Sequence, residues 1–234
     1  MRDGGRMRRR ILHTADLHLL NVGDRACQSL EAVVDQAIKT RVDLVIVAGD
    51  FFDTGTVADN LIGFAVEQLR RLSVPAVILP GNHDCLLPGS VFDRAEPWQD
   101  CDNIRILRAP DGEMLDLADA GVLLWGKPHD SYGSDLQPLA GIPVPHGNGR
   151  WHIALAHGYY IEDEASLFRA YHITEEEIIT SGWDYIALGH VPAFKCVSDE
   201  PVKTYYPGSP SISGTVAIVD LDERTGVQVN RCVL

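Results

Sequence analysis

Five short clusters in this chain carry the side chains that metal chemistry uses: Asp16-Leu17-His18, Gly49-Asp50-Phe51-Phe52-Asp53, Gly81-Asn82-His83-Asp84, His157-Gly158 and Gly189-His190. Imidazole nitrogens, carboxylate oxygens and one amide oxygen together suit divalent cations. If the clusters converge, they describe a site for two such cations. Taken singly, Asp-x-His or Asn-His-Asp is more often a turn or a satisfied polar group. Context decides otherwise here: each cluster follows directly on a short apolar run, where a carboxylate or imidazole is costly to bury unless it coordinates something.

The runs themselves, residues 11–13, 44–48, 74–79, 152–156 and 185–188, have the pattern of strands buried on both faces. The candidate ligands therefore fall at strand ends. In an open α/β sheet, the loops beyond the carboxyl ends of the strands form the crevice where ligands bind, so clusters distant in sequence can meet there. Between the first two runs, Leu30, Val33, Val34, Ala37 and Ile38 form the apolar stripe of a helix lying on a sheet, and Leu61, Ile62, Ala65, Leu69 and Leu72 repeat it after the second. These βα units predict a parallel, right-handed wind in the N-terminal half. Later segments, 113–117, 122–125, 202–206, 215–221 and 227–233, are strand-like with short turns such as Glu223-Arg224-Thr225-Gly226, which predicts antiparallel pairing in a second sheet.

A chain of 234 residues with 45% hydrophobic content can bury one large α/β core. No linker divides it; residues 138–149, rich in Pro and Gly, read as a surface loop. The expected organisation is one domain over residues 10–234, preceded by a disordered basic arm over 1–9 in which Arg2, Arg6, Arg8 and Arg9 concentrate. A net charge of −13 argues against a broad electrostatic grip on nucleic acid, which draws mainly on Lys and Arg, and leaves room only for a local basic patch. No run approaches the ~20 apolar residues that span a bilayer, and Asp16 and His18 interrupt the segment that could serve as a signal. The five cysteines are odd in number and lack zinc-finger spacing, as expected of reduced thiols in a cytoplasm.

The order D-x-H, G-D-x-x-D, G-N-H-D, H and G-H resembles that of the calcineurin-like metallophosphoesterases, and residues 11–19, 185–190 and 206–210 are most similar to SbcD-type DNA-repair exonucleases. The resemblance runs from Arg10 to about Leu221. It implies a four-layer αββα sandwich and a metal-dependent phosphoesterase, in the SbcD case a phosphodiesterase acting on DNA beside an SbcC-like ATPase. By the same resemblance Asp16, His18 and Asp50 hold one cation, and Asp50, Asn82, His157 and His190 hold a second. Mn²⁺ is the expected metal, with Fe, Zn or Mg as alternatives. A bridging water or hydroxide would be the nucleophile, and His83 the general acid. Asp53 is the first candidate to orient His83 and Asp84 the second.

The chain departs from the family at two points. Where the pattern has G-H-x-H, it reads Gly189-His190-Val191-Pro192, and a proline side chain cannot coordinate a metal. The first cation would keep Asp16, His18 and Asp50, completed by water or by another residue such as Asp199. The phosphoesterase pattern also runs almost to Leu234, so the capping region through which SbcD-type nucleases hold DNA and their ATPase is expected to be missing. Three readings stay open: an SbcD-like nuclease core, a hydrolase of small phosphodiesters or nucleotides, and a binding module that has lost catalysis. Among the remaining histidines, His13 reads as a hydrogen-bonded core residue. His129 and His146 read as solvated loop residues, with a place for His129 along the cleft as the alternative. Residues 206–210 read as a turn whose amides could meet a phosphate.

Overall fold

Strands buried on both faces must send alternate side chains into two different packing layers. The computed structural model, which describes residues 6–94, 98, 101–146, 149–162 and 170–234, has this arrangement. In the first sheet, β1 (Arg9–Thr14), α1 (Arg25–Thr40), β2 (Leu44–Ala48), α2 (Asp59–Arg70), β3 (Ala76–Leu79) and β4 (Ile104–Ile106) place four parallel strands side by side, with the helices as the first two crossovers. Helix α1 starts at Asp24, whose carboxylate accepts from the Cys27 amide at 2.9 Å, and stops at Arg41 in the left-handed conformation. Ile38, at the margin of the expected stripe, stays 47% exposed. Strand β3 begins at Ala76 rather than Val74, because Pro75 has no N–H to give to a ladder; its carbonyl accepts from Val45 instead.

The second sheet collects β5 (Glu113–Leu117), β6 (Val122–Gly126) and β7 (Trp151–His157). The small pair β8 (Tyr159–Tyr160) and β9 (His172–Ile173) and helix α3 (Glu175–Ser181) follow, before β10 (Tyr185–Gly189), β11 (Phe194–Ser198) and β12 (Lys203–Pro207) complete the sheet. Here the expectation of antiparallel pairing is corrected. Strands β6, β7, β10 and β12 run parallel, and only the edges β5 and β11 are antiparallel. The hairpin β13 (Thr215–Asp222) and β14 (Gly226–Val233) forms as its turn residues suggest, but it joins the first sheet, where β13 pairs antiparallel with β1. A turn specifies which two strands make a hairpin and says nothing of which sheet receives it. The continuous burial of the first five residues of β13 belongs to an interior strand.

Three apolar layers separate four layers of structure. Leu12, Val45 and Ile78 pack under α1 and α2 through Leu30, Val34 and Leu61. The alternate residues Ile11, Ile46 and Val77 meet Leu124, Ile153 and Tyr185 between the sheets. Trp125, Ala154 and Ile186 lie under α3 with Ile178 and Trp183. The result is an α/β sandwich in the order αββα. His13 sits within it, buried, with Nδ1 at 2.8 Å from the Tyr185 hydroxyl and Nε2 at 3.1 Å from the Leu188 carbonyl.

The first five residues of the expected basic arm lie outside the described residues. The rest of it is anchored: Arg6 pairs with Asp184 at 2.7 Å and covers the Trp151 ring at 4.8 Å, and Arg9 opens β1. Among the described residues no helix is long and apolar enough to cross a membrane, and no disulfide is present.

Leu124 lies wholly inside the layer between the sheets. Leu124→Ala should therefore cost about 2–5 kcal/mol of stability, the usual range for truncating a core leucine. Met114→Ala, at a 42% exposed edge-strand position, should change stability by less than about 0.5 kcal/mol. Denaturant midpoints at unchanged m-value read both.

Candidate metal centre

The ladder between β1 and β2 continues past both strands. The Asp16 amide donates to Gly49 O at 3.1 Å, His18 to Asp50 O at 3.1 Å and Leu19 to Phe51 O at 3.0 Å, so the two ligand-bearing loops are zipped together. Four of the six non-glycine residues with positive φ among the described residues are Asp16 (54°), His18 (53°), Asp50 (51°) and His190 (96°). Such conformations cost on the order of 1–3 kcal/mol each and persist where the surroundings over-determine them. Glycine is required beside them. A Cβ on Gly81 would lie 2.2 Å from Asp50 Oδ1, and one on Gly49 would lie 2.0 Å from His157 Nδ1.

Around His157 four ligand-type atoms converge. Its Nδ1–H donates to the Ala48 carbonyl at 2.8 Å, which leaves Nε2 facing Asn82 Oδ1 at 3.0 Å, Asp50 Oδ2 at 3.1 Å and His190 Nδ1 at 3.2 Å. A lone pair turned toward oxygens and a second imidazole is repelled unless positive charge sits among them. With protons alone, Asp50 and His157 share that charge. Burial opposes charge on His157, but Asp50 and then Asp16 outweigh it and raise the imidazole to about 9. Burial likewise opposes charge on Asp50, yet His157 and the His83 amide hold its carboxyl well below the usual carboxylate range. His190, lowered to about 3 by burial and then by His157, is neutral and can offer a lone pair. Among the described residues no lysine or arginine pairs with Asp16, Asp50 or Asp84. This donor set fits a divalent cation.

Asp16, His18 and Asp50 form a second group, with ligand atoms within 4.8 Å of one another. Burial raises the Asp16 carboxyl to about 7, although the His190 amide donates to both its oxygens at 3.1 and 3.0 Å. The Ser209 hydroxyl donates to the Asp16 carbonyl at 2.6 Å, and its own amide donates to Ser213 Oγ, so the turn at 206–210 braces the ligand loop. His18 Nε2 lies 4.0 Å from Asp50 Oδ2. Asp50 is thus common to both groups.

His83, 43% exposed, stands beside these two groups and forms a third with His18 and Asp53. Its amide donates to Asp50 Oδ1 at 2.9 Å, and its ring Nδ1–H donates to the Asp53 main-chain carbonyl at 3.0 Å. The Asp53 carboxylate is 3.7 Å from that nitrogen and 3.1 Å from His18 Nδ1. Asp84 is fully buried, and its two oxygens accept from the Gly81 amide at 2.7 Å and the Phe52 amide at 2.9 Å, pinning one ligand loop to the other. Burial and then Asp50 raise its carboxyl to about 7.

Two expectations fail. Asp199 is no substitute for the histidine missing at Pro192: it is exposed and pairs with Lys203 at 2.7 Å and the Tyr205 hydroxyl at 3.1 Å. His129 is not solvated. It is wholly buried, its Nε2–H donates to the His157 carbonyl at 2.9 Å, its amide donates to Pro80 O and its carbonyl accepts from Leu86. It thereby joins the end of β7 to the loop carrying Asn82 and His83. The signal was present: β6 ends at Gly126, and His129 follows a strand end as the ligands do. Tyr159, whose ring lies 4.3 Å from that of His190, carries no motif to mark it.

The comparisons with known proteins concern the family and the fold. Residues 9–194 match the family model of the calcineurin-like phosphoesterases. The chain is 26% identical over 227 residues to the uncharacterized metallophosphoesterase YhaO of Bacillus subtilis (strain 168), covering 85% of this chain and 52% of that protein. It is 26% identical over 222 residues to the DNA double-strand break repair protein Mre11 of Saccharolobus solfataricus, covering 86% and 54%. The chain thus spans about half the length of these relatives. Its fold is similar to that of TT1561 of Thermus thermophilus, with a TM-score of 0.66 at 13% identity over 97% of this chain and 99% of that one. With strand-end ligands converging on a shared aspartate and the family model covering most of its length, this chain belongs to the calcineurin-like phosphoesterase family, hydrolases that act on phosphate esters.

Proposed function

We propose that this chain is a metal-dependent phosphodiesterase with an SbcD-like nuclease core, residues 10–234 making up one phosphoesterase domain that works in the cytoplasm. The observation that carries the reading is the convergence of Asn82 Oδ1, Asp50 Oδ2 and His190 Nδ1 within 3.2 Å of His157 Nε2, with the exposed imidazole of His83 beside them. Asp16, His18 and Asp50 would hold one cation, and Asp50, Asn82, His157 and His190 the other. The mixed nitrogen and oxygen set suits Mn²⁺, with Fe, Zn or Mg as alternatives. Divalent cations there would lower the pKa of water toward neutrality and offset the charge of a phosphate.

The remaining work belongs to the chain's own residues. Asp50 is common to both ligand groups and accepts the His83 amide, so the loop bearing the proton donor is set by the same carboxylate that organises the centre. With the His83 Nδ1–H given to the Asp53 carbonyl, Nε2 is the nitrogen left to carry a proton and deliver it to the leaving oxygen. Asp53 and Asp84 hold the surrounding loops: the Asp53 main chain meets Leu19 and His83, and the Asp84 carboxylate ties the Gly81 turn to Phe52.

DNA is the substrate class that the relatives suggest, since one of them is named a DNA double-strand break repair protein, and the resemblance to SbcD-type nucleases makes an SbcC-like ATPase the corresponding partner. A net charge of −13 favours the alternative of a small phosphodiester or nucleotide. Pro192, in place of a second imidazole, favours a further reading, a binding module without catalysis. Turnover of bis-p-nitrophenyl phosphate, single-stranded DNA and duplex DNA with and without Mn²⁺ separates the three. The proposal predicts Mn²⁺-dependent turnover of a phosphodiester, and metal uptake without any turnover would leave only the binding module.

Asp50→Asn should reduce metal-dependent turnover to below a tenth of wild type, since stabilisation by the cations amounts to several kcal/mol. Turnover above that level would contradict the shared role of Asp50. His83→Ala should leave metal content intact and slow hydrolysis by ~10²–10⁴, the usual contribution of a positioned acid. That loss should be smaller for p-nitrophenyl esters, whose leaving group needs little protonation, than for alkyl esters. Equal losses on both would exclude proton donation by His83.

A further inference from the structure

We infer that His129 is a positioning residue for the candidate ligand His157: its ring N–H holds the stretch of main chain from which that imidazole reaches the second cation site. The inference rests on the metal-centre reading above and deepens it. His129 Nε2 lies 2.9 Å from the His157 carbonyl, and the two rings meet edge to face with centroids 5.5 Å apart. Strand pairing shows why a side chain is needed there. Leu155, across from Gly126, is the last residue of β7 with a partner in β6, and His157 comes two residues later. Main-chain groups two residues apart along a strand face the same neighbour, so the His157 carbonyl points to where β6 has already ended. The His129 imidazole supplies the donor that the ladder no longer can.

A second observation separates the N–H from packing. With Nε2–H given to His157, His129 Nδ1 is left as an acceptor, buried and without a hydrogen-bond partner. An orphaned buried acceptor is destabilising. An apolar ring would fill the same space, against His157 and the Tyr171 ring at 4.5 Å, without that penalty. The one bond the imidazole makes therefore accounts for the residue type. That bond bears on metal through His157 Nε2, which lies 3.0 Å from Asn82 Oδ1, 3.1 Å from Asp50 Oδ2 and 3.2 Å from His190 Nδ1. A ligand set tolerates displacements of only about 0.5 Å. The links from His129 to Pro80 and Leu86 are main-chain bonds that any residue at 129 keeps, so side-chain variants isolate the tie to His157.

The test is a calorimetric titration of the full chain with Mn²⁺ for wild type, His129→Phe, His129→Leu and His129→Gln, with circular dichroism to verify folding. Phenylalanine keeps a ring without the donor, and leucine gives the donor-free reading if phenylalanine does not fold. Glutamine keeps an N–H near the position of Nε2. With four candidate protein ligands against three, the site containing His157 should be the tighter of the two. His129→Phe and His129→Leu should weaken it about 10–100-fold, the usual effect of removing a group that orients a ligand, and leave the weaker site unchanged. His129→Gln should stay nearer to wild type than either. Because His83 is untouched, the ratio of rates for phosphodiesters with good and poor leaving groups at saturating Mn²⁺ should stay at the wild-type value. Wild-type Mn²⁺ affinity in a folded donor-free variant, or equal losses in that variant and His129→Gln, would show that the N–H does not place His157 and overturn the inference. A wild-type protein that takes up no Mn²⁺ would overturn the metal-centre reading itself, and this inference with it.

Discussion

Asp50, 2% exposed, lies against the fully buried His157, and that contact is the constraint on which the rest of the site depends. An isolated charge so far from water costs several kcal/mol, and a pair offsets this only when every remaining donor and acceptor is used. Here they are used. Asp50 Oδ1 takes the His83 amide, and His157 Nδ1 gives its proton to Ala48. Two further buried carboxyl groups, Asp16 and Asp84, flank the pair; burial raises both above the usual carboxylate range, and among the described residues no lysine or arginine pairs with either. Such a cluster has the electrostatics of a cation site, and the fold is arranged to build it.

That arrangement explains features that would otherwise be costly. Four candidate ligand residues sit at positive φ, and the glycines before Asp50 and Asn82 leave no room for a Cβ. Stability is given up locally so that strand ends from two sheets can approach. The layers on either side supply it back, with Leu124 and its neighbours joining the sheets and α1, α2 and α3 closing the outer faces. Asp84 and His129 tie the loops together: one joins the turn at Gly81 to Phe52, and the other joins β7 to the segment between Pro80 and Leu86.

The clusters that the structure brings together are legible in the sequence because their signal is local: a buried strand pattern, then a glycine or tight turn, then a carboxylate or imidazole. Helices α1 and α2 are legible for the same reason, through the spacing of their apolar residues. What stays hidden is non-local. Periodicity cannot say that the hairpin of β13 and β14 joins β1 rather than the second sheet. Nor can it say that His129, on a loop after a proline, turns inward to His157, because the partner is a main-chain carbonyl distant in sequence.

The central claim is that one carboxylate, Asp50, organises two cation sites. Anomalous X-ray diffraction from crystals grown in saturating Mn²⁺ tests it most directly. The account predicts two anomalous peaks about 3.5–4 Å apart, the spacing of a shared-ligand pair, with an oxygen of Asp50 within coordination distance of each. A single peak, or two peaks of which one lies beyond the reach of Asp50, would contradict it.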